Sequence, residues 1–346
     1  MVIEDSEADT GPEGSACTYL VAKRGISTPE AAATLARLLG GRAHPLGLKD
    51  TRATTLQLIC IQPCSPEAPR LLRVPGRLWA RLAGRPTSCR KTTLRGNRFH
   101  ILLEPLPHAT ASEVAEEAAA LARQRLPAYY SYQRFGTRRP STQYAGLASL
   151  TAPHLATVRE VIDTGYPDEA PTALACRTLL WRAAGCNIAR MYEEGLSRRL
   201  PRSMGSLPGF LRSIHSSALQ ALVFNTYLST RLSLGYGLAE RVPGERRARD
   251  GRPLAPVPGV GVRTRIGGVA GAILRQALES LGLEPRDLAS RSPLLEKRLP
   301  YWRPVYTAPR NVEVRVLGGK VLLSFWLEKG LYATLLLREL VDPYQL

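Results

Sequence analysis

The amino-acid sequence predicts a protein of mixed α/β class, of the α+β kind. Residues 17–23 and 56–62 are apolar runs with β-branched side chains, as is typical of buried strands. A helix-start signal lies between them, at residues 27–30. A clean apolar–polar alternation at residues 312–316 predicts that the chain ends in further strands.

The first helix is predicted from its two ends. Ser27 supplies a hydroxyl cap, Pro29 fits the first turn, and Glu30 completes the start signal. The Ala- and Leu-rich segment that follows stops at two glycines, residues 40–41. A strand follows at residues 56–62, so Asp50 is expected in a helix–loop–strand connection.

Two more helices are predicted farther along the chain. Residues 110–125 form an Ala- and Glu-rich amphipathic segment that Pro127 ends. Residues 212–231 predict a long helix with an apolar stripe, made of Ile214, Ala218, Leu222 and Leu228. Asn225 would be a polar residue on the core side of that helix and would need a hydrogen-bond partner.

The C-terminal part predicts a meander of strands. Residues 312–316 and 321–327 would pair through a hairpin turn at Gly318 and Gly319. Residues 332–340 are expected to add a third strand.

The charge of the chain points to nucleic acid as its partner. The 346 residues include 47 Lys and Arg against 29 Asp and Glu, and the net charge is +18. Only six of those basic residues are lysines, and arginine is the residue that grips phosphates in two places and stacks on bases. A compositional habit of the source organism is the alternative explanation.

Other function classes are disfavoured. No run approaches the roughly 18 apolar residues of a membrane helix, and the acidic, polar start does not resemble a secretion signal. We therefore expect a cytoplasmic protein. Its six cysteines form no paired CxxC blocks, which predicts reduced, mostly buried thiols and no metal site.

Asp50 is the candidate catalytic residue. It is a lone acid between Lys49 and Arg52, and those neighbours favour the charged form of an aspartate. A carboxylate beside a strand on a polycationic protein suits a nucleophile or base that acts on an RNA sugar. The alternative is a turn aspartate that hydrogen-bonds its own backbone.

The most basic tract covers residues 70–98, with Trp79 near its middle. It predicts a track for the RNA backbone, although a solvated basic face is the alternative. The candidate RNA-binding residues are Arg81, Arg85, Arg90, Lys91 and Arg95.

Two segments resemble the TruD family of pseudouridine synthases. Residues 47–57 match its signature Gly-x-Lys-Asp-x-x-Ala-x-Thr-x-Gln, at Gly47, Lys49, Asp50, Ala53, Thr55 and Gln57. Residues 94–99 resemble its Gly-Asn-x-Phe element, which here carries Asn97 and Phe99.

Three further blocks extend the resemblance in order to residue 339. Residues 129–136 are similar to Asn-Tyr-Phe-Gly-x-Gln-Arg-Phe-Gly, with Gln133 and Arg134 matched, although Ala128 and Ser131 replace the family's Asn and Gly. The long predicted helix and the closing strands match the family at several positions each, including Asn225, Arg231, Phe325, Tyr332 and Glu339.

The resemblance implies a pseudouridine synthase fold, with a central mixed, largely antiparallel sheet that an inserted domain interrupts. We expect residues 1–144 to form the first part of the catalytic domain, 145–292 the insertion, and 293–346 the closing strands. It also implies isomerisation of uridine to pseudouridine in tRNA, usually at position 13 of the D arm, by a monomer with no metal or organic cofactor.

Residue roles follow from the same resemblance. Asp50 would be catalytic, Asn97 would hydrogen-bond near it, and Phe99 would stack on the target base. Without the resemblance, Phe99 would be a core residue of a strand. Lys49, Gln133 and Arg134 would also bind substrate, although an aromatic cluster such as residues 129–135 is as often core.

One departure concerns the cation that pairs with Asp50. The family normally has a lysine ahead of the strand that begins near Val2, and this sequence lacks it. Lys49, Arg52 and Arg134 are the possible substitutes, and Arg134 is expected because a guanidinium grips a carboxylate in two places. If no cation substitutes, the chain would be a catalytically impaired RNA-binding module or a tRNA-folding chaperone.

Overall fold

The structure, a computed structural model, describes most of the chain and divides it into two compact units. The described residues are 1–6, 14–45, 47, 49–51, 53–89, 94–104, 109–136, 141–151, 209–290, 292 and 295–340. The first unit combines Met1–Gln124 with Ala308–Leu346, and the second is Arg125–Thr307. The borders predicted for the inserted domain, residues 145 and 292, are not tested by this division and remain a prediction.

The described residues contain fourteen strands and seven α-helices, which confirms the mixed α/β class. The strands are β1 (Val2–Ser6), β2 (Cys17–Lys23), β3 (Arg42–Pro45), β4 (Thr55–Gln62), β5 (Leu71–Val74), β6 (Leu78–Gly84), β7 (Leu94–Leu103), β8 (Leu126–Pro127), β9 (Arg246–Arg247), β10 (Pro253–Val257), β11 (Tyr301–Pro304), β12 (Tyr306–Thr307), β13 (Arg310–Leu317) and β14 (Lys320–Glu328). The helices are α1 (Thr28–Leu39), α2 (Ala111–Leu121), α3 (Thr142–Thr151), α4 (Gly209–Ser233), α5 (Gly268–Glu279), α6 (Pro285–Ala289) and α7 (Ala333–Leu340).

A nine-stranded sheet organises the first unit. Its order is β13-β14-β7-β1-β4-β2-β6-β5, and β3 pairs with β4 beyond the end of β1. The β1–β4 pairing is parallel, and the other described pairings of this sheet are antiparallel. The sheet is therefore mixed and largely antiparallel, as the family resemblance implied.

Helix α1 begins and ends at the capping residues that the sequence predicted. Ser27 accepts a hydrogen bond from the Glu30 backbone N–H, which satisfies a donor of the first turn. Gly40 ends the helix in the left-handed conformation at φ 71°, where a side chain would be strained. Strand β3 follows α1 directly, so the connection that carries Asp50 runs from strand to strand rather than from helix to strand.

The sheet has two faces with different environments. On the covered face, Val21 and Leu78 pack with Leu35 of α1 in a buried core. Alternate residues of a strand point to opposite sides, so Trp79 and Arg81 lie on the reverse face, where both are exposed.

The C-terminal hairpin is confirmed as β13 and β14, but the third predicted strand is wrong. Residues 333–340 form helix α7, which packs against α2. Leu335 and Leu336 are buried while Arg338 and Glu339 are exposed, a helical rather than an alternating pattern. Leu, Ala, Arg and Glu are also strong helix formers.

The second unit is built around helix α4. The predicted apolar stripe is correct at Ala218 and Leu228, but Ile214 is 46% exposed. Arg231 and Glu245 form a fully buried ion pair at 2.9 Å. The Arg231 guanidinium also donates to the carbonyls of Tyr236 and Gly237, so this charge pair is satisfied in the interior.

Four cysteines contradict the expectation of reduced thiols. Cys17 is joined to Cys64, and Cys60 to Cys89. The turn after β4 brings Cys64 back beside the start of β2, where its N–H donates to the Ser15 carbonyl at 2.9 Å. Sequence spacing cannot reveal such a return of the chain, which depends on the pairing of β2 with β4. Cys176 and Cys186 lie outside the described residues.

Gly96 meets a tight steric requirement within β7. A methyl group on it would lie 2.3 Å from the Leu327 carbonyl oxygen and 2.5 Å from the Trp326 ring. We expect Gly96→Ala to lower the free energy of unfolding by about 1–3 kcal/mol, the usual cost of overpacking. Chemical denaturation would measure it, with Gly237→Ala as the control because that glycine has open space around it. Equal stabilities for the two variants would contradict this.

The disulfides should stabilise the first unit. Each closes a long loop, with sequence separations of 47 and 29 residues, and so restricts the unfolded chain. Removing one of them by a pair of Cys→Ala changes should cost about 2–4 kcal/mol. Thermal unfolding with and without a reductant provides the measurement. A melting temperature that the reductant leaves unchanged would contradict the two bonds.

Candidate active site

The polar residues of the covered face lie in the middle of the large sheet. Strand pairing places Lys23 opposite Thr55, Thr55 opposite Val2, and Val2 opposite Phe99. Paired residues project to the same side of a sheet. One row across four strands therefore leads from Lys23 to Phe99. In the neighbouring row Glu4 is opposite Asn97.

The loop that carries Asp50 is fastened over these rows. Lys49 precedes Asp50, and its Nζ lies 2.8 Å from Glu4 Oε2 in an ion pair whose side chains are 6% and 0% exposed. Thr28 of α1 accepts a hydrogen bond from the Lys49 N–H at 2.8 Å. The loop is thus held by β1 on one side and by α1 on the other.

Gly47 leaves room for that ion pair. A methyl group at this position would lie 2.9 Å from Lys49 Nζ and 3.7 Å from Glu4 Oε2. The Gly-x-Lys part of the sequence motif therefore has a packing reason as well as a chemical one.

Lys23 is the residue that holds Asp50 itself. It is 2% exposed and ends strand β2. Its Nζ donates to the Asp50 carbonyl at 3.0 Å and to the Ile26 carbonyl at 2.8 Å. A buried ammonium with two fixed acceptors restrains the backbone of the loop at the residue whose side chain is exposed.

The pKa of Lys23 depends on its burial and on the charges around it. Burial lowers that pKa, because the ammonium loses its water. The Asp50 carboxylate is near enough to raise it in part, and Lys49 opposes this while Glu30 adds to it. Lys23 and Asp50 therefore interact through charge as well as through the backbone.

Asn97 and Phe99 lie on the strand next to β1. Phe99 stacks on Phe325 of β14 with ring centroids 5.3 Å apart, and it is half-buried. Its ring thus has a packed side and an accessible part. Its predicted role as a platform for the target base stays a prediction. The Asn97 Oδ1 atom is buried and has no hydrogen-bond partner among the described residues. A buried acceptor without a donor is unusual and marks a place for a ligand or water.

The structure adds two observations to the sequence-based assignments. Lys49 forms a buried ion pair with Glu4, and its role in substrate binding stays a prediction. Lys23, whose ammonium binds the Asp50 carbonyl, was not predicted. A lysine at the end of an otherwise apolar strand was the available signal, because a charge there needs a partner. Arg52 lies outside the described residues.

Gln133 and Arg134 belong to the second unit. Gln133 is exposed, and Arg134 is half-buried with its guanidinium 6.0 Å from the centre of the Tyr130 ring. Asn225 accepts a hydrogen bond from the Tyr130 N–H at 2.8 Å and donates to its carbonyl at 2.9 Å. Asn225 was predicted to need a hydrogen-bond partner, and that partner is the backbone of Tyr130, three residues before Gln133. Arg303, 3.9 Å from the Tyr130 ring centre, packs on the same residue.

The basic tract is divided among several environments. Arg81 and Arg95 are exposed. Arg85 donates to the Ser65 carbonyl at 2.9 Å and to the Pro66 carbonyl, so its guanidinium braces a loop. The remaining two candidates, Arg90 and Lys91, lie outside the described residues. The three described candidates thus lie in different environments, and the RNA-binding role of the tract stays a prediction.

In the part of the chain that the structure describes, no helix is long and apolar enough to cross a membrane.

Comparisons with known proteins agree with the geometry. The family model for tRNA pseudouridine synthase D (TruD) matches residues 1–252 and 245–340. A "Probable tRNA pseudouridine synthase D" of Pyrobaculum neutrophilum is 31% identical over 356 residues, covering 93% of this chain and 82% of that protein. Its counterpart from Pyrobaculum aerophilum is 29% identical over 370 residues, covering 99% and 87%.

A solved structure supports the fold. The crystal structure of a "Putative tRNA pseudouridine synthase D (TruD)" from Methanosarcina mazei superposes with a TM-score of 0.66. It is 23% identical in sequence, and the match covers 100% of this chain and 92% of that one. With a family model that matches nearly the whole sequence, these likenesses show that the chain belongs to the TruD family of tRNA pseudouridine synthases.

Proposed function

We propose that this enzyme isomerises uridine to pseudouridine at position 13 in the D arm of tRNA, with Asp50 as the catalytic residue. The observation that carries the proposal is the anchoring of Asp50. Buried groups hold the loop at Lys49 and at the Asp50 carbonyl, while the Asp50 side chain remains exposed. A preorganised carboxylate that faces solvent suits attack on a bound substrate.

The reaction needs a carboxylate at the sugar. The bond between C1′ and N1 of the uridine breaks, the uracil turns over, and C5 bonds to C1′. C5 then loses its proton and N1 gains one, so the product is an isomer of the substrate. Asp50 acts at the sugar either as a nucleophile on C1′ or as the base that removes the C2′ proton. The two roles predict different intermediates and share the same position of the carboxylate.

The adjoining strand offers the features that a uracil would use. The unpaired Asn97 Oδ1 can accept a hydrogen bond from the N3–H of the base. The Phe99 ring, supported from behind by Phe325, offers a surface for stacking. The uridine must first leave its stack at a cost of a few kcal/mol, which these contacts would offset.

The rest of the tRNA would be held by charge. The net charge of +18 supplies a long-range attraction for phosphates. Gln133 and Arg134 of the second unit, together with Arg95 of the first, are the proposed contacts. We propose that the enzyme acts in the cytoplasm as a monomer. The isomerisation is redox-neutral and needs no cofactor.

The direct test is the mapping of pseudouridine in unmodified tRNA transcripts after incubation with the protein. The modification is expected at position 13 and should disappear when a cytidine replaces that uridine. Pseudouridine at another position would retain the activity and overturn the proposed target.

Asp50→Asn should reduce pseudouridine formation by more than about 100-fold, because the amide can be neither nucleophile nor base. Its affinity for tRNA should stay within a few-fold, because phosphate contacts dominate binding. Single-turnover rates and dissociation constants would be measured in parallel. Glu67→Gln, which makes the same chemical change at an exposed carboxylate of the same unit, is the matched control.

Two outcomes separate the candidate functions. Turnover by Asp50→Asn within a few-fold of the parent enzyme would end its catalytic assignment. A parent protein that binds and refolds tRNA without modifying it would instead favour the chaperone hypothesis. The buried anchoring of Asp50 favours the enzyme, since a chaperone has no need of a positioned carboxylate.

Lys23→Met should lower kcat far more than affinity for tRNA. The change keeps an unbranched side chain of nearly the same length but removes the hydrogen bonds to the Ile26 and Asp50 carbonyls and the charge near Asp50. We expect a loss of about 10- to 100-fold in single-turnover rate, the range of a displaced catalytic group. The dissociation constant for tRNA should stay within a few-fold of the parent, because the change leaves the phosphate contacts in place.

A purely structural role for Lys23 would give a different pattern. The melting temperature would fall, while the single-turnover rate at a temperature where the variant is folded would match the parent. Lys320→Met is the control, since that lysine is also on a strand of the first unit but is 45% exposed in its ion pair with Glu104.

A further inference from the structure

The reverse face of the large sheet carries a patch that the catalytic proposal does not use. Strand pairing places Leu71 of β5 opposite Arg81 of β6, and Arg73 opposite Trp79. We call these four residues the reverse-face patch. The Arg73 guanidinium lies over the Trp79 ring, 4.6 Å from its centre.

The patch is open to solvent. Trp79 is 48% exposed and Leu71 59%, and Arg73 and Arg81 are exposed as well. The alternate residues of the same strands, such as Leu78 and Ala80, are buried in the core on the other side. A tryptophan left this exposed loses the free energy that its burial would provide. Large exposed aromatic surface beside charge commonly marks a binding site.

Charge indicates the class of ligand. The chain from residue 68 to residue 103 contains nine basic residues and no acidic residue. A surface with arginines and an aromatic ring, and without carboxylates nearby in sequence, fits a polyanion with planar bases. A neutral apolar partner would leave the two arginines without compensating charge.

We propose that the reverse-face patch binds unpaired nucleotides of the substrate RNA, at a region separate from the uridine that is modified. A base stacks on Trp79, and its flanking phosphates pair with Arg73 and Arg81. This proposal rests on the function proposed above, since it takes tRNA as the RNA concerned.

The position of the patch makes the two regions distinct. Trp79 is opposite Ala22 of β2, the residue before Lys23, and adjacent residues of a strand face opposite sides. The patch is thus behind the Asp50 site, across the thickness of the sheet. A single RNA segment would have to pass around the edge strand β5, which is two strands and roughly 10 Å from β2. A stem-loop that contains only the target uridine is expected to leave the patch empty.

The experiment compares two RNAs with a set of variants. Full-length tRNA transcript and an excised D-arm stem-loop would be titrated with the parent protein, Trp79→Ala, Trp79→Phe and the double variant Arg73→Ser/Arg81→Ser. Trp79→Ala should weaken binding of full-length tRNA by about 5- to 100-fold, the range for loss of one stacked base. Trp79→Phe keeps an aromatic ring and should retain most of the parent's affinity for full-length tRNA. The stem-loop should bind all variants alike.

Salt dependence gives an independent measurement. The double arginine variant should lower the slope of log affinity against log salt by about 1.4 for full-length tRNA, at roughly 0.7 per contact with a single strand. Arg37→Ser, an exposed arginine of α1 on the other side of the sheet, controls for a general effect of charge.

Several results would overturn the proposal. Affinities for full-length tRNA that are unchanged in Trp79→Ala and in the double variant would remove the patch as an RNA site. An equal loss of affinity for the stem-loop would mean that the patch contacts the region of the target uridine. A self-associated parent protein that Trp79→Ala converts to monomer would identify a second copy of the chain as the occupant. These results come from binding and association, so they are distinguishable from failure of the catalytic proposal, which appears in turnover.

Discussion

The buried charges beneath the Asp50 loop are the constraint on which the site depends. Lys23 is enclosed at the end of β2, and its ammonium donates to the carbonyls of Ile26 and Asp50. The ion pair of Lys49 with Glu4 is enclosed beside it. Burying such charges costs several kcal/mol each unless their partners are fixed in place. The fold therefore tolerates these two lysines only while the loop keeps its conformation.

This arrangement explains why the loop can present an exposed carboxylate in a fixed place. Lys49 and the backbone carbonyl of Asp50 carry the contacts with buried groups, so the Asp50 side chain itself is left exposed. Thr28, the first residue of α1, receives the Lys49 N–H, so the correct start of that helix also contributes to the position of the loop. Local capping, strand pairing and buried charge thus act on the same residue, which is typical of a preorganised site.

Much of this could be predicted from sequence because it depends on local chemistry. The cap at Ser27, the left-handed stop at Gly40 and the closing hairpin follow from residues a few positions apart. The pairing of Lys49 with Glu4 and the role of Lys23 could not, because they depend on which strands become neighbours. The parallel pairing of β1 with β4 brings Glu4 beneath the loop. The same limit applies to the disulfides and to helix α7, whose leucines are compatible with either periodicity until their packing is known.

Strand alternation decides what the basic tract can do. In one dimension the arginines between residues 70 and 98 form a continuous positive segment that runs toward Asn97. In the fold, Arg73 and Arg81 lie on the reverse face, while Asn97 and Lys23 are on the covered face. Arg85 braces the loop after β4. Basic residues are therefore placed on both faces of the sheet. Long-range attraction of a polyanion depends on the total charge, so this division leaves it unaffected. Contact is local, so an RNA bound as proposed would have to reach the two faces with different regions of its chain.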